Sequence, residues 1–300
     1  MSSATIPQPT VTVLALIDQM AARLEDAGLS FSDGFGQGTT NAFDEAAWLV
    51  LWKLGLQIDD LESVENTPVA PEDQAQVALL FDTRIATRKP AAYLTNEAWL
   101  MGVPFYVDER VIIPRSFIAE MLDEGSIDPW LSEKTHRVLD LCTGNGSLAV
   151  LAAMTYPEVS VDAADISLDA LAVARINVDR HQLDQRITLI ESNGLAACTG
   201  GYDLILCNPP YVNAASMAAL PAEFRAEPDL ALAGGADGMD FIRTLFITAA
   251  AQMNENAVLV LEIGNERANF ESAFPHLEPL WFETSAGSDQ VLLLTREQLA

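Results

Sequence analysis

The chain has very little positive charge: among 300 residues, lysine occurs only at Lys53, Lys89 and Lys134, Lys and Arg total 16 against 43 Asp and Glu, and the formal net charge is −27. No run of Lys or Arg is present. Binding to nucleic acid draws much of its affinity from neutralising phosphates, so direct nucleic-acid readout is not expected. An acidic surface keeps a protein soluble and attracts a basic protein partner, and the two effects are compatible. Metal-site residues are equally sparse. The three cysteines, Cys142, Cys198 and Cys207, are an odd count without metal-ligand spacing, and the three histidines, His136, His181 and His276, are scattered. A zinc centre is therefore not expected. Long apolar runs are missing too. The stretch Met1 to Thr10 has no basic residue and the apolar run after it stops at Asp18, which makes neither a signal peptide nor a membrane span. The chain reads as cytoplasmic, with no membrane partner.

Half of the residues are apolar, enough for a substantial core in one large domain or two smaller ones. Up to about Lys89 the spacing predicts helices. Leu14, Ile17, Ala21 and Leu24 fall on one face, as do Phe43, Ala47, Val50, Leu51 and Leu54, and then Val77, Leu80, Phe81 and Ile85. Ser30 to Thr40 reads as the loop between the first two. Ala92 to Val107 turns β-like, with Gly102 and Pro104 punctuating a hairpin. From His136 onward strands and helices alternate: strands over 138–142, 159–164, 187–191, 202–207 and 257–263, with helices over 147–156, 168–180 (Ser167 as cap) and 241–253. Two last strands, near 280–284 and 291–295, are expected to be antiparallel. This alternation predicts an α/β fold, a mostly parallel seven-stranded sheet covered by helices. The expected organisation is a helical domain over 1–90, a β-hairpin linker over 91–115 and a catalytic domain over 116–300.

In an open α/β sheet, ligands bind beyond the carboxyl ends of the strands. Four polar or glycine-rich clusters fall at such ends. The first runs from Asp140 through Thr143 and Gly144 to Gly146, where the glycines allow a sharp strand-to-helix turn and bring backbone N–H groups against a ligand. The second is Asp165, whose carboxylate can accept both hydroxyls of a ribose. These two indicate an adenosine-type ligand, either a dinucleotide or S-adenosylmethionine.

The third cluster, Asn208-Pro209-Pro210-Tyr211, decides for S-adenosylmethionine. Its prolines fix the backbone and remove competing N–H donors. Asn208 can offer its side-chain oxygen, and Pro209 its backbone carbonyl, to the two hydrogens of a planar NH2 group, while Tyr211 can stack on that plane beside a sulfonium. An amide nitrogen is a poor nucleophile, and two acceptors facing its hydrogens stabilise the positive charge it gains in a methyl transfer. The fourth cluster, Glu191-Ser-Asn-Gly194, would lie near an adenine, with Asn193 facing its amino group, or be a plain turn.

At these residues the chain resembles the HemK/PrmC/PrmB family of protein N(5)-glutamine methyltransferases. The likeness extends over Ala91 to Asn96, Phe105 to Ser116, Asp140 to Gly146, Asn208 to Tyr211, Glu227 to Leu232 and Gly235 to Gly238. Cys142 in place of the commoner glycine, and Pro114-Arg-Ser in place of Pro-Arg-Pro, are similar to the PrmB branch, which methylates a glutamine of ribosomal protein L3. The resemblance implies a Rossmann-like methyltransferase domain preceded by a helical domain that helps recognise the protein substrate. It implies that Asp140, Gly144, Gly146 and Asp165 help hold S-adenosyl-L-methionine, and that Asn208 through Tyr211 bind the glutamine amide. Two positions depart from the pattern: Asn193 stands where relatives carry aspartate, and Gly194 where they carry a bulkier residue. Two other readings of the fold remain, a nucleic-acid adenine N6-methyltransferase and a non-catalytic ribosome-assembly binder.

Overall fold

The computed structural model describes residues 10–30, 35 and 38–300. Most of the loop expected over Ser30 to Thr40 lies outside the described residues. The chain forms two compact units, one taking in the described residues up to Thr95 together with Pro221–Ala226, the other Asn96–Leu220 with Glu227–Ala300. The first unit thus takes in a short piece from far downstream.

The first unit is helical, with its longer helices at Val13–Asp26, Ala42–Leu54 and Pro71–Thr87. The first two are capped by Thr12 and Asn41, whose side-chain oxygens accept from Ala15 N and Asp44 N. Helical spacing predicts the buried faces only in part. Ile17, Ala21, Leu24, Val50, Leu51, Val77 and Phe81 are buried, but Phe43 is 39% exposed. The second helix is rotated so that Glu45 faces inward, where its carboxylate accepts from Arg84 Nε at 2.8 Å. Arg84, wholly buried, also reaches Glu223 at 3.1 Å, and Arg88 reaches the same carboxylate at 2.6 Å. This ion-pair network anchors Pro221–Ala226 in the helical unit. Ala91–Thr95 is a further helix rather than the start of a β segment. Pro90 opens it, accepting at its carbonyl from Tyr93 N and Leu94 N, and Thr95 Oγ1 donates back to Ala91 O.

In the second unit, β1 (Ala98–Leu100) and β2 (Val103–Phe105) form the expected antiparallel hairpin. Met101 and Gly102 both have positive φ, the requirement of the tight turn that matches strand twist. The main sheet contains β3 (Arg137–Leu141), β4 (Ser160–Asp165), β5 (Ile187–Glu191), β6 (Tyr202–Cys207), β7 (Met253–Glu262), β8 (Leu280–Trp281) and β9 (Val291–Thr295). Their order is β5-β4-β3-β6-β7-β9-β8. The first five pair in parallel, and β9 is antiparallel to both β7 and β8. The seven-stranded, mostly parallel sheet is thus as expected. Val138, Val161, Leu204 and Val260 face one apolar layer, and Leu139, Ile205, Leu259 and Leu261 face the other. Burial on both faces explains why these strands read as continuous apolar runs. Strand order reverses between β3 and β6, and that reversal opens a crevice at the strand carboxyl ends.

Candidate active site

All four strand-end clusters border one cavity of about 250 Å³ in the second unit. Thr143 and Gly144 contribute from the end of β3, Asp165 from β4, Asn193 and Gly194 from β5, and Asn208 and Pro210 from β6. The opposite wall comes from the segment after the hairpin, including Pro114, Arg115 and Ser116, and from Pro228 to Ala231.

The β3 loop is built from its own residues. Gly144 has φ +56, and a Cβ placed on it would meet nothing within 4 Å, so open space borders its backbone. Its N–H donates to Asp165 Oδ2 at 2.9 Å, while Asp165 Oδ1 accepts from Ser167 N at 2.9 Å. Asp165 therefore pins the glycine turn and holds the backbone of Ser167, the N-cap of the following helix, keeping further lone pairs for a ligand. Burial pushes its carboxyl above the usual aspartate range, against the lowering effect of these backbone donors. Gly146 lies behind the cavity instead of on it. With φ +82 it starts the helix Ser147–Thr155, and a Cβ there would stand 3.1 Å from Ala174 Cβ. Its role is close packing of two helices.

Asp140 likewise sits beneath the loop, only 1% exposed. Its Oδ2 accepts from Thr143 Oγ1 at 2.5 Å and from Ala149 N at 2.9 Å. Burial lifts its carboxyl to about 7, opposed by those two hydrogen bonds. Its Oδ1 has no partner among the described residues. Asn145 was not singled out from the sequence, yet it borders the cavity, is buried, and carries an Nδ2 with no partner among the described residues. A buried donor without a partner is costly unless something arrives to accept it. Together with the open space beside Gly144, it fits a polar ligand in this crevice.

The β6 tetrapeptide divides into two parts. Asn208 and Pro210 face the cavity, and Pro209 is buried behind them. Among the described residues, the Asn208 side chain and the Pro209 carbonyl take part in no hydrogen bond, and of the two residues Asn208 borders the cavity. The Tyr211 ring, expected to face the acceptor plane, is instead seated away from the cavity lining. Its hydroxyl donates to Glu262 Oε1 at 3.2 Å, and its edge lies against Gly264. Arg115 makes a two-pronged pair with the buried Glu227 at 2.6 and 2.8 Å. Glu227 also accepts from Ile113 N at 3.0 Å. No cluster of His, Cys, Asp or Glu suited to a metal occurs among the described residues.

Comparison with known proteins shows the family and the fold. The model of the Methyltransferase small domain matches residues 114–235. Among solved structures, the hMettl16 catalytic domain in complex with a MAT2A 3'UTR hairpin matches with a TM-score of 0.51 at 13% identity, covering 75% of this chain and 81% of that one. That likeness concerns the fold alone. Ribosomal protein uL3 glutamine methyltransferase from Neisseria meningitidis serogroup B is 46% identical, with 97% of this chain and 95% of the relative covered. The counterpart from Burkholderia pseudomallei is 49% identical over 98% of each chain. With the Bordetella pertussis protein of the same name also 51% identical over 97% of both chains, the chain belongs to the family of ribosomal protein uL3 glutamine methyltransferases.

Proposed function

We propose that the chain transfers a methyl group from S-adenosyl-L-methionine to the side-chain amide nitrogen of a glutamine in ribosomal protein uL3. The single observation that carries this reading is the convergence on one cavity of a glycine turn, the Asp165 carboxylate and the Asn208 side chain, which makes no hydrogen bond among the described residues. Relatives that carry the uL3 name cover nearly the whole chain. When bound, the cofactor supplies an electrophilic methyl group on a sulfonium. Asp165, Thr143, Gly144 and Asn145 are the residues placed to hold it. Asp140 and Gly146 act behind them, one bracing the loop and the other setting helix packing.

The chain's own part in the chemistry is positioning and electrostatics. Asn208 Oδ1 and Pro209 O accept the two amide hydrogens, which fixes the nitrogen and faces two oxygens toward the positive charge it gains. Holding nucleophile and electrophile in line removes most of the entropic barrier. No strong base is needed, because an N-methylated cationic amide is very acidic and loses its proton to water. Pro210 closes the wall, and Tyr211 fixes the tetrapeptide from behind.

The helical unit is the part assigned to recognition of the basic substrate protein, with the acidic surface as the source of attraction. No helix among the described residues is long and apolar enough to cross a membrane, and the site of action assigned to the chain is the cytoplasm, where ribosomal proteins are made.

The test is incubation of the full chain with purified uL3 and methyl-labelled cofactor, followed by mass spectrometry of the digest. A single-methyl increment on one glutamine is expected. Label in added RNA or DNA instead of uL3 would favour an adenine N6-methyltransferase. Binding of uL3 with no heat on titration of S-adenosylmethionine would favour a non-catalytic binder.

A further inference from the structure

Glu262 is the last residue of β7 and is 1% exposed. Its two oxygens serve different parts of the chain. Oε2 accepts from Ser116 Oγ at 2.6 Å and from Phe117 N at 2.9 Å. Oε1 accepts from the Tyr211 hydroxyl at 3.2 Å. Ser116 belongs to one wall of the cavity, and Tyr211 directly follows Pro210 in the other.

The seat of Tyr211 is built on purpose by small residues. A Cβ on Gly264 would lie 2.5 Å from Tyr211 Cε2, and one on Gly234 would lie 2.7 Å from the Tyr211 backbone. The chain after Tyr211 is held as well, since Val212 N donates to Leu232 O at 2.8 Å and Gly234 N to Val212 O at 2.9 Å. The hydroxyl tie to Glu262 therefore completes an otherwise rigid mount. A buried carboxylate is an expensive way to fill space, because its desolvation outweighs what packing alone returns. A methionine or leucine would fill the same volume without that penalty, but could not accept from three donors on two segments.

We propose that Glu262 is a positioning residue for methyl transfer: a single buried carboxylate that fastens the Ser116 wall to Tyr211, and through Tyr211 fixes the direction of the Asn208 and Pro209 acceptors. The inference rests on the reading of Asn208-Pro209 as the acceptor clamp. Glu262 touches neither donor nor acceptor. Its effect falls on the rate of transfer at saturation, leaving cofactor affinity as it was.

The experiment compares the full chain with Glu262→Gln, Tyr211→Phe and the double variant. Glutamine retains the volume, but with its oxygen turned to Phe117 N its NH2 group faces the Tyr211 hydroxyl, so the carboxylate acceptor at Tyr211 is lost. Each single change is expected to lower kcat on uL3 about tenfold, the rate equivalent of one lost supporting hydrogen bond. The Kd for S-adenosylmethionine by calorimetry should stay within about twofold. Because the two residues act through one bond, the double variant should be little slower than the slower single one. Additive losses, or a kcat unchanged in Glu262→Gln, would overturn the proposal. Hydrogen exchange at the Tyr211 and Val212 amides reads the tie without any acceptor. Faster exchange there in Glu262→Gln is expected, and unchanged exchange overturns the proposal whether or not uL3 is methylated. If wild-type protein leaves uL3 unmodified while that exchange still accelerates, the substrate reading fails and the tie stands.

Discussion

Replacing Asn208 by alanine separates the clamp from the scaffold cleanly. The side chain is half-buried at the cavity wall and makes no hydrogen bond with the described residues. Its removal breaks no internal contact of the polar kind, so the change in folding stability should stay within about 0.5–1 kcal/mol, as for substitutions that touch no buried network. Loss of one preorganised acceptor facing charge in the transition state costs about 2.7–4 kcal/mol, or roughly 10²–10³ in kcat. The two magnitudes are well apart, and this makes the variant informative. Aspartate at the same position keeps an acceptor oxygen in place and should retain more of the rate than alanine does. The assay is methyl transfer to uL3 at saturating cofactor, with urea unfolding run on the same preparations. An alanine variant within about threefold of wild-type kcat would refute the clamp, since no other side chain supplies that acceptor. A variant with both kcat and stability collapsed would refute the claim that Asn208 is free of structural duty.

Arg115→Ala removes both hydrogen bonds to the buried Glu227, and because Arg115 is itself partly solvated the loss should be about 2 kcal/mol in urea unfolding, below the ~3–5 of a fully buried pair. Arg115→Lys should recover little of it, since an ammonium cannot reproduce the fork. Asp140, lifted by burial from 3.8 to about 7, binds its proton more tightly folded than unfolded, so its ionisation lowers stability progressively as pH rises from about 4 to about 7. Asp140→Asn abolishes that dependence, and the stability difference between variant and wild type should move in favour of the variant by up to about 4 kcal/mol across that window; a flat difference in unfolding runs at several pH values would count against the burial argument. Gly146→Ala should destabilise by about 1–3 kcal/mol, through positive φ and the approach to Ala174, seen as a lower Tm without loss of the Asn208 wall. Glu223→Ala removes one carboxylate that pairs with the fully buried Arg84, and a loss of about 3–5 kcal/mol is expected in the unfolding of the helical unit.

The parts of the site that a reader of the sequence can locate are those whose signal is local. Asp140 to Gly146, Asp165 and Asn208 to Pro210 each follow an apolar run, and the end of a buried parallel strand is where the fold puts ligands. The inner strands β3, β6, β7 and β9 were legible for the same reason: burial on both faces writes continuous apolar stretches. What was not legible is any feature made by two segments far apart. Arg115 and Glu227 are 112 residues apart, and Ser116 and Glu262 are 146 apart. Nothing in either neighbourhood marks the carboxylate as buried. Composition rules predict the reverse, since acidic residues are mostly exposed. The same gap misassigned Phe43: helical spacing placed it inward, and the core needed that helix turned so that Glu45 could meet Arg84.

These hidden carboxylates change how the recognisable motif should be understood. Asn208-Pro209-Pro210-Tyr211 looks self-sufficient in sequence, with two prolines to stiffen it. Yet prolines fix φ without fixing where the segment points. Direction here comes from Glu262 through Tyr211, and from Glu227, which accepts from Ile113 N and pairs with Arg115 at the wall opposite. Between those two anchors the chain runs through Glu223, held by Arg84 and Arg88 in the helical unit. Removing the first ninety or so residues is therefore a poor measure of recognition alone. It strips both arginines from Glu223, in the very stretch that connects Tyr211 to Glu227, and should lower kcat together with uL3 affinity. Loss of affinity with kcat intact would show that the clamp keeps its direction without that anchor.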